Sequence, residues 1–201
     1  RTFFKQPVAL AVAAYALLWL SALSPHGVLL TAFLKDGWQL PEWLIGTFRG
    51  LGAVFGLIAT ATYTLVVHKV GLNQGSRIFI VFQAVMVALA ELCFFSGGLA
   101  GQLGFLGFML LSRIGLYGFS LGEMQIRQVG IPADVRGKVN GFASALTGVA
   151  TLGLYGMGAL LPSTGGFGIL VMISVGVVVL GAFTFAFWSW KADSVGLASR
   201  D

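Results

Sequence analysis

The sequence predicts an all-α, polytopic membrane protein of six transmembrane helices. Composition, segment length and the placement of charge carry that prediction. Hydrophobic residues make up 57% of the 201-residue chain and charged residues only 9%, with a mean hydropathy of +0.92. Soluble domains carry about 25% charged residues. A chain with so little charge cannot cover a water-facing surface, so its solvent must be lipid.

Length sets the number of spans. A helix crossing the hydrocarbon core needs roughly 20 apolar residues. Six segments qualify, at about 7–34, 41–67, 78–98, 103–126, 139–161 and 166–190. They occupy nearly the whole chain as one transmembrane unit over residues 1–201 and leave no room for a soluble domain. None of them reads as a cleavable signal peptide. The chain opens on Arg1 rather than Met, which suggests one part of something longer with a partner half.

Charge then sets the orientation. The formal charge is +5, but its distribution is no nucleic-acid signal. The termini and alternate connections hold Arg1, Lys5, Lys69, Arg77, Arg127, Arg136, Lys138, Lys191 and Arg200, and the opposite connections hold only Lys35. This positive-inside bias places both termini on the cytoplasmic side, or the stromal or matrix side of an organelle. An even number of spans agrees.

The first span is unlike the others. A continuous helix over 7–34 would run roughly 42 Å at 1.5 Å per residue, against a core of about 30 Å. At its midpoint stand Ser24, Pro25, His26 and Gly27. Proline removes a backbone donor and clashes with the preceding turn, and glycine permits non-helical dihedrals. The span is therefore expected to break between about Ser24 and Gly27. Unwound backbone at that depth persists only where protein buries it or a cavity meets it. Discontinuous helices of this kind form transport sites, and His26 offers an imidazole, a common transition-metal ligand. A proline kink with a hydrogen-bonded histidine fits the residues equally well.

The remaining spans are joined by short connections, which favour antiparallel neighbours. Pro41 suits a helix start. Gly71, Asn73 and Gly75 break the chain between spans two and three. FSGGLAGQLG joins three to four. Pro132 and Asp134 end one element and cap the next between four and five, and PSTGG joins five to six. Inside the spans, Gly46/Gly50 and Gly52/Gly56 recur four apart, and span five contains GVATLGLYGMG. Such small-residue faces allow close helix approach, or sliding in a transport cycle.

Few residues carry chemistry. GFSLG, Gly118 to Gly122, matches the pattern of serine hydrolases, but that motif requires a strand–turn–helix setting and a later histidine. No histidine follows Ser120. The chain is not expected to be an enzyme or to hold a cofactor. Cys93 is the single cysteine, so it forms no internal disulfide and is expected to be a small buried apolar residue. With two histidines and no CxxC, a structural zinc site is excluded. His68 is expected in a solvated connection beside Lys69. Arg49, Glu91, Arg113 and Glu123 fall in apolar stretches, where ionisable groups are costly. Arg49 is near enough to a span end to snorkel. Glu91 and Arg113 are deeper, which favours an interhelical charge pair or a cavity lining.

The stretch RIGLYGFSLGEMQIRQVGIPADVRGKVNGFASAL resembles the tenth and eleventh spans of ferroportins, iron-exporting solute carriers of the major-facilitator superfamily. The resemblance rests on Arg113-Ile114-Gly115-Leu116 followed by an aromatic residue, on Gln125, on Arg136-Gly137 and on Asn140-Gly141. FGILVMISVGVVVLG is similar to the family's last span, and LSPHGVLLTAF falls where its broken seventh span lies. The resemblance implies that all 201 residues form the C-terminal lobe of a twelve-span carrier. Such a carrier moves divalent iron or related ions by alternating access, with an N-terminal lobe as partner.

The same resemblance implies a pathway through Ser24, Pro25, Gly27, Glu91, Arg113, Gln125 and Thr151, with His26 as the metal ligand. Animal members place an Asp-Cys pair where this chain has His26 and Gly27, and their later His and Asp fall on Leu154 and Thr151. This departure weakens ordinary metal coordination in the lobe and argues against regulation by the peptide hormone hepcidin. The SPHGVLLTAF wording is closer to the plant and algal organellar branch, which points to a plastid or mitochondrial envelope, with plasma membrane and vacuole as alternatives. Rival functions are a major-facilitator carrier for an organic solute and a non-transporting membrane scaffold.

Overall fold

The computed structural model describes residues 7–23, 27–161 and 164–194. These residues are helical almost throughout: α1 (Ala9–Leu18), α2 (Val28–Asp36), α3 (Glu42–Val70), α4 (Leu72–Ser96), α5 (Gly98–Gly130), α6 (Ala133–Leu160) and α7 (Phe167–Ser194), with a 3-10 turn over Thr164–Gly166 before the last. In lipid the backbone has no water to bond, so each apolar segment satisfies its own amides by coiling into a helix. The five helices α3 to α7 are each long and apolar enough to cross a membrane. The first expected span is instead two short helices, α1 and α2.

The five long helices run past the apolar windows that define the spans. The expected connection around residues 68–77 is almost entirely helical, and Gly71 alone separates α3 from α4. Gly71 has φ +82°, a left-handed conformation that only glycine adopts without strain. It reverses the chain in one residue, so His68 lies in the exposed last turn of α3 rather than in a loop. Only Ile131 and Pro132 separate α5 from α6. At 33 residues, α5 is roughly 50 Å long. It outreaches the hydrocarbon core, so its ends are free to carry polar residues.

Helices α4 and α5 form the most extensive helix contact of the fold. The glycines of α5 face α4 and remove the side chains that would hold the two apart. A Cβ on Gly115 would lie 2.7 Å from the Phe79 carbonyl oxygen and from the Gln83 amide nitrogen, so backbone meets backbone there. Gly118 meets the Phe79 ring, and Gly122 meets the Ser76 side chain. Cys93 is half-buried on α4, with its Sγ 2.8 Å from where a Cβ on Gly104 would be. It serves as a small packing residue, although less enclosed than expected.

Two apolar cores stack along the helices. One contains Val8 and, from α1, Val12 and Leu18, with Phe79, Phe119, Phe185 and Trp188. The indole of Trp188 donates a 2.6 Å hydrogen bond to the Pro7 carbonyl, which puts the start of α1 beside the end of α7. The other core contains Ala22, Leu23, Leu30, Phe33 and Leu34 with Phe105, Met109 and Phe167. There Phe33 stacks on Phe167 at 4.1 Å and meets Trp38 edge-on at 5.4 Å. The first span therefore contributes α1 to one core and α2 to the other, and its break lies at the seam.

Candidate functional site

The break in the first span begins earlier than proline alone dictates. Helix α1 ends at Leu18, and the next amides bond three residues back: Trp19 to Ala16, Leu20 to Leu17 and Ser21 to Leu18. Hydroxyls then take over as acceptors. The Ala22 amide donates to Ser174 Oγ of α7 at 2.8 Å, and the Leu23 amide donates to Ser21 Oγ at 3.2 Å. Ser174 is itself buried and donates to the Leu170 carbonyl at 2.6 Å. Serine hydroxyls thus replace the helical ladder and hold non-helical backbone within the protein. Helix resumes at Val28, where the Thr31 hydroxyl donates to the Gly27 carbonyl.

Gly27 borders two cavities. The first, about 150 Å³, is lined by Thr31 of α2, Arg49 and Gly52 of α3, and Arg113 and Tyr117 of α5. Arg113 is buried there. The second, about 80 Å³, is more apolar, and Gly27 shares it with Trp19, Leu29 and with Thr151, Leu154 and Tyr155 of α6. Where the chain leaves its helix, space therefore opens on both sides.

The residues singled out from the sequence separate into groups. Gly27, Arg113 and Thr151 line the cavities, and the Thr151 hydroxyl donates to the Thr147 carbonyl at 2.9 Å. Ser24, Pro25 and His26 lie outside the described residues. Gln125 stands elsewhere, accepting a 2.6 Å hydrogen bond from the Tyr63 hydroxyl. Glu91 is half-buried near the C-terminal end of α4. It borders neither cavity and forms no ion pair with Arg113 among the described residues. Ser120 of the hydrolase-like motif sits inside α5, 3.2 Å from the Tyr15 hydroxyl, with no strand or turn around it.

Two features escaped the sequence reading. Arg49 shares the first cavity with Arg113 rather than only reaching for the interface. Glu123 is fully buried and pairs with Arg127 one turn later at 2.8 Å, and Arg127 Nη1 donates to Asn140 Oδ1 of α6 at 3.2 Å. The i,i+4 spacing of Glu123 and Arg127 was the available signal. Among the described residues, no three His, Cys, Asp or Glu side chains come together as a metal site.

The Ferroportin1 (FPN1) family model matches residues 1–178. The chain belongs to the ferroportin family. The "Ferreportin" of Bdellovibrio bacteriovorus is 49% identical over 195 residues, covering 97% of this chain and 44% of that protein. The chloroplastic solute carrier family 40 member 2 of Oryza sativa subsp. japonica is 30% identical over 170 residues, covering 83% of this chain and 28% of that protein. A crystal structure of a bacterial homologue of the iron transporter ferroportin in the outward-facing state superposes with a TM-score of 0.90 at 49% identity, covering 94% of this chain and 47% of that one. Its inward-facing counterpart gives 0.89 at 50% identity, covering 91% and 45%. This ferroportin-family chain therefore spans less than half the length of its relatives. It is a membrane protein whose helical fold matches about half of each of those structures.

Proposed function

We propose that this chain is the C-terminal lobe of a carrier that moves divalent iron or a related ion by alternating access. The observation that carries the proposal is the broken first span of a ferroportin-family fold, held open by Ser21 and Ser174 and bordered by two cavities at Gly27. A scaffold has no use for such a break, because unwound backbone in a membrane must be supported by other groups. The near-equal likeness to outward- and inward-facing relatives supports a lobe that keeps its own fold while rocking against its partner.

His26, which precedes Gly27 in the sequence, is the metal ligand in this reading. One imidazole is a sparse donor set for a transition metal, so the remaining ligands come from freed carbonyls, water or the opposite lobe. Metal binds the neutral imidazole, so protons compete and affinity falls at low pH. The 49% identity with a bacterial protein, against 30% with a chloroplastic one, favours a bacterial cell membrane over the organellar envelope. The basic connections favour termini on the cytoplasmic side.

The experiment is Fe²⁺ uptake into proteoliposomes by the full-length carrier, with metal binding titrated against pH. Metal-dependent flux, and a pH-dependent affinity lost in His26→Ala, are the expected results. Flux of an organic solute without metal would overturn the cation reading. Unchanged affinity and pH dependence in His26→Ala would make that histidine structural.

A further inference from the structure

Arg113 stands midway along α5 and is only 5% exposed. Its Nη1 has no hydrogen-bond partner among the described residues, and Arg113 belongs to neither ion pair found there. Among the described residues, the other charged group lining its cavity is Arg49, of the same sign. The acidic side chains described are Asp36, Glu42, Glu91, Glu123 and Asp134, and none borders the cavity. Glu42 is engaged with Lys35, and Glu123 with Arg127. Gly52 faces the guanidinium with no side chain at all, since a Cβ there would still be 4.0 Å from Nε. The site thus presents a buried cation, open space of about 150 Å³ and, among the described residues, no counter-charge.

Burying an uncompensated charge is strongly unfavourable, and a guanidinium cannot escape by losing its proton. Something anionic must meet it. We propose that the Arg113 cavity is a carboxylate-binding site. The planar fork of a guanidinium matches a carboxylate with two parallel hydrogen bonds. Arg113 is the buried one of the two arginines, and Arg49 is exposed on the surface of this chain. One carboxylate neutralises that buried guanidinium. Tyr117 adds a phenol to the lining, while the Thr31 hydroxyl is already committed to the Gly27 carbonyl. The carboxylate has two sources: a small free anion entering the cavity, or an Asp or Glu side chain from the part of the carrier beyond this chain. The site does not depend on which cation, if any, the carrier moves.

The test uses the purified full-length carrier and reads its melting temperature in acetate and in chloride at equal ionic strength. A ligand that binds the folded state raises Tm with its concentration. A free-anion site gives an acetate-dependent rise in the wild type that Arg113→Met abolishes. A side-chain source gives no acetate effect, a lowered Tm in Arg113→Met, and recovery of at least half the loss in Arg113→Lys, which keeps the charge. Any other pattern overturns the site. In particular, an acetate rise that survives Arg113→Met places the anion elsewhere. With no acetate effect, an Arg113→Met variant as stable as wild type shows that the guanidinium meets no anion.

Discussion

Gly56 of α3 lies against the ring of Tyr117 on α5, so closely that a Cβ on the glycine would sit 3.1 Å from two ring carbons. One turn earlier on each helix, Gly52 faces Arg113. The two glycines of α3 are thus pockets for two large side chains of α5 at the same spacing. Gly56→Ala needs the ring to move by a few tenths of an ångström. Gly56→Leu must push Tyr117 or α3 aside, at about 1–3 kcal/mol. Truncating the ring in the same molecule makes room, so Gly56→Leu combined with Tyr117→Ala should be less destabilised than the sum of the single changes. Melting of the four proteins in a double-mutant cycle measures this. Simple additivity would mean that the glycine does not seat the ring.

Ser174 holds the broken span from outside it. Its Oγ accepts the Ala22 amide at 2.8 Å in a buried setting. Ser174→Ala leaves that amide without a partner and should cost about 1–3 kcal/mol, whereas Ser174→Thr keeps the acceptor. Hydrogen exchange at Ala22 is the direct reading: it should accelerate in the alanine variant and stay slow with threonine. Equal exchange in both would remove Ser174 from the account of the break.

The Glu123–Arg127 pair is asymmetric. The Glu123 side chain is 1% exposed and that of Arg127 18%. Removing Arg127 strands a buried carboxylate, at about 3 kcal/mol or more. Arg127→Gln strands the more deeply buried charge and should be the worse of the two. Glu123→Gln leaves an arginine that still reaches solvent and the Asn140 side chain. Tm values in the reverse order would refute this.

The turn between α5 and α6 tests the orientation. Ala133 is exposed at the start of α6, beside Arg127, Arg136 and Lys138. In a Cys93→Ala background, Ala133→Cys should react with a membrane-impermeant thiol reagent only from the side that carries both termini. Efficient labelling from the opposite side would invert the proposed topology.

Much of this architecture follows from the sequence alone. Apolar length and the demand that each backbone amide find a partner leave helices as the outcome for residues 41–190, and the overlong first run with Pro25 and Gly27 announces a break. The motif series from Arg113 to Gly141 was enough to show the family. Helix ends were less legible, because Gly71 turns the chain in one residue, and a glycine's φ is set by the helices it joins.

Tertiary structure decided how far the break extends and what surrounds it. Local sequence places the interruption between about Ser24 and Gly27, yet the α-helix already ends at Leu18, and Ser174, 152 residues away along the chain, accepts the Ala22 amide. It also decided the setting of Arg113. The sequence shows a cation in an apolar stretch, but whether it snorkels, pairs or lines a cavity depends on which helix faces it. Opposite Arg113 the fold puts Gly52 and Arg49 and, among the described residues, no carboxylate, a juxtaposition of residues some sixty positions apart that no local pattern encodes. Periodicity and composition report what each helix must bury. Which groups meet is fixed by packing between helices, and that is a property of the whole lobe.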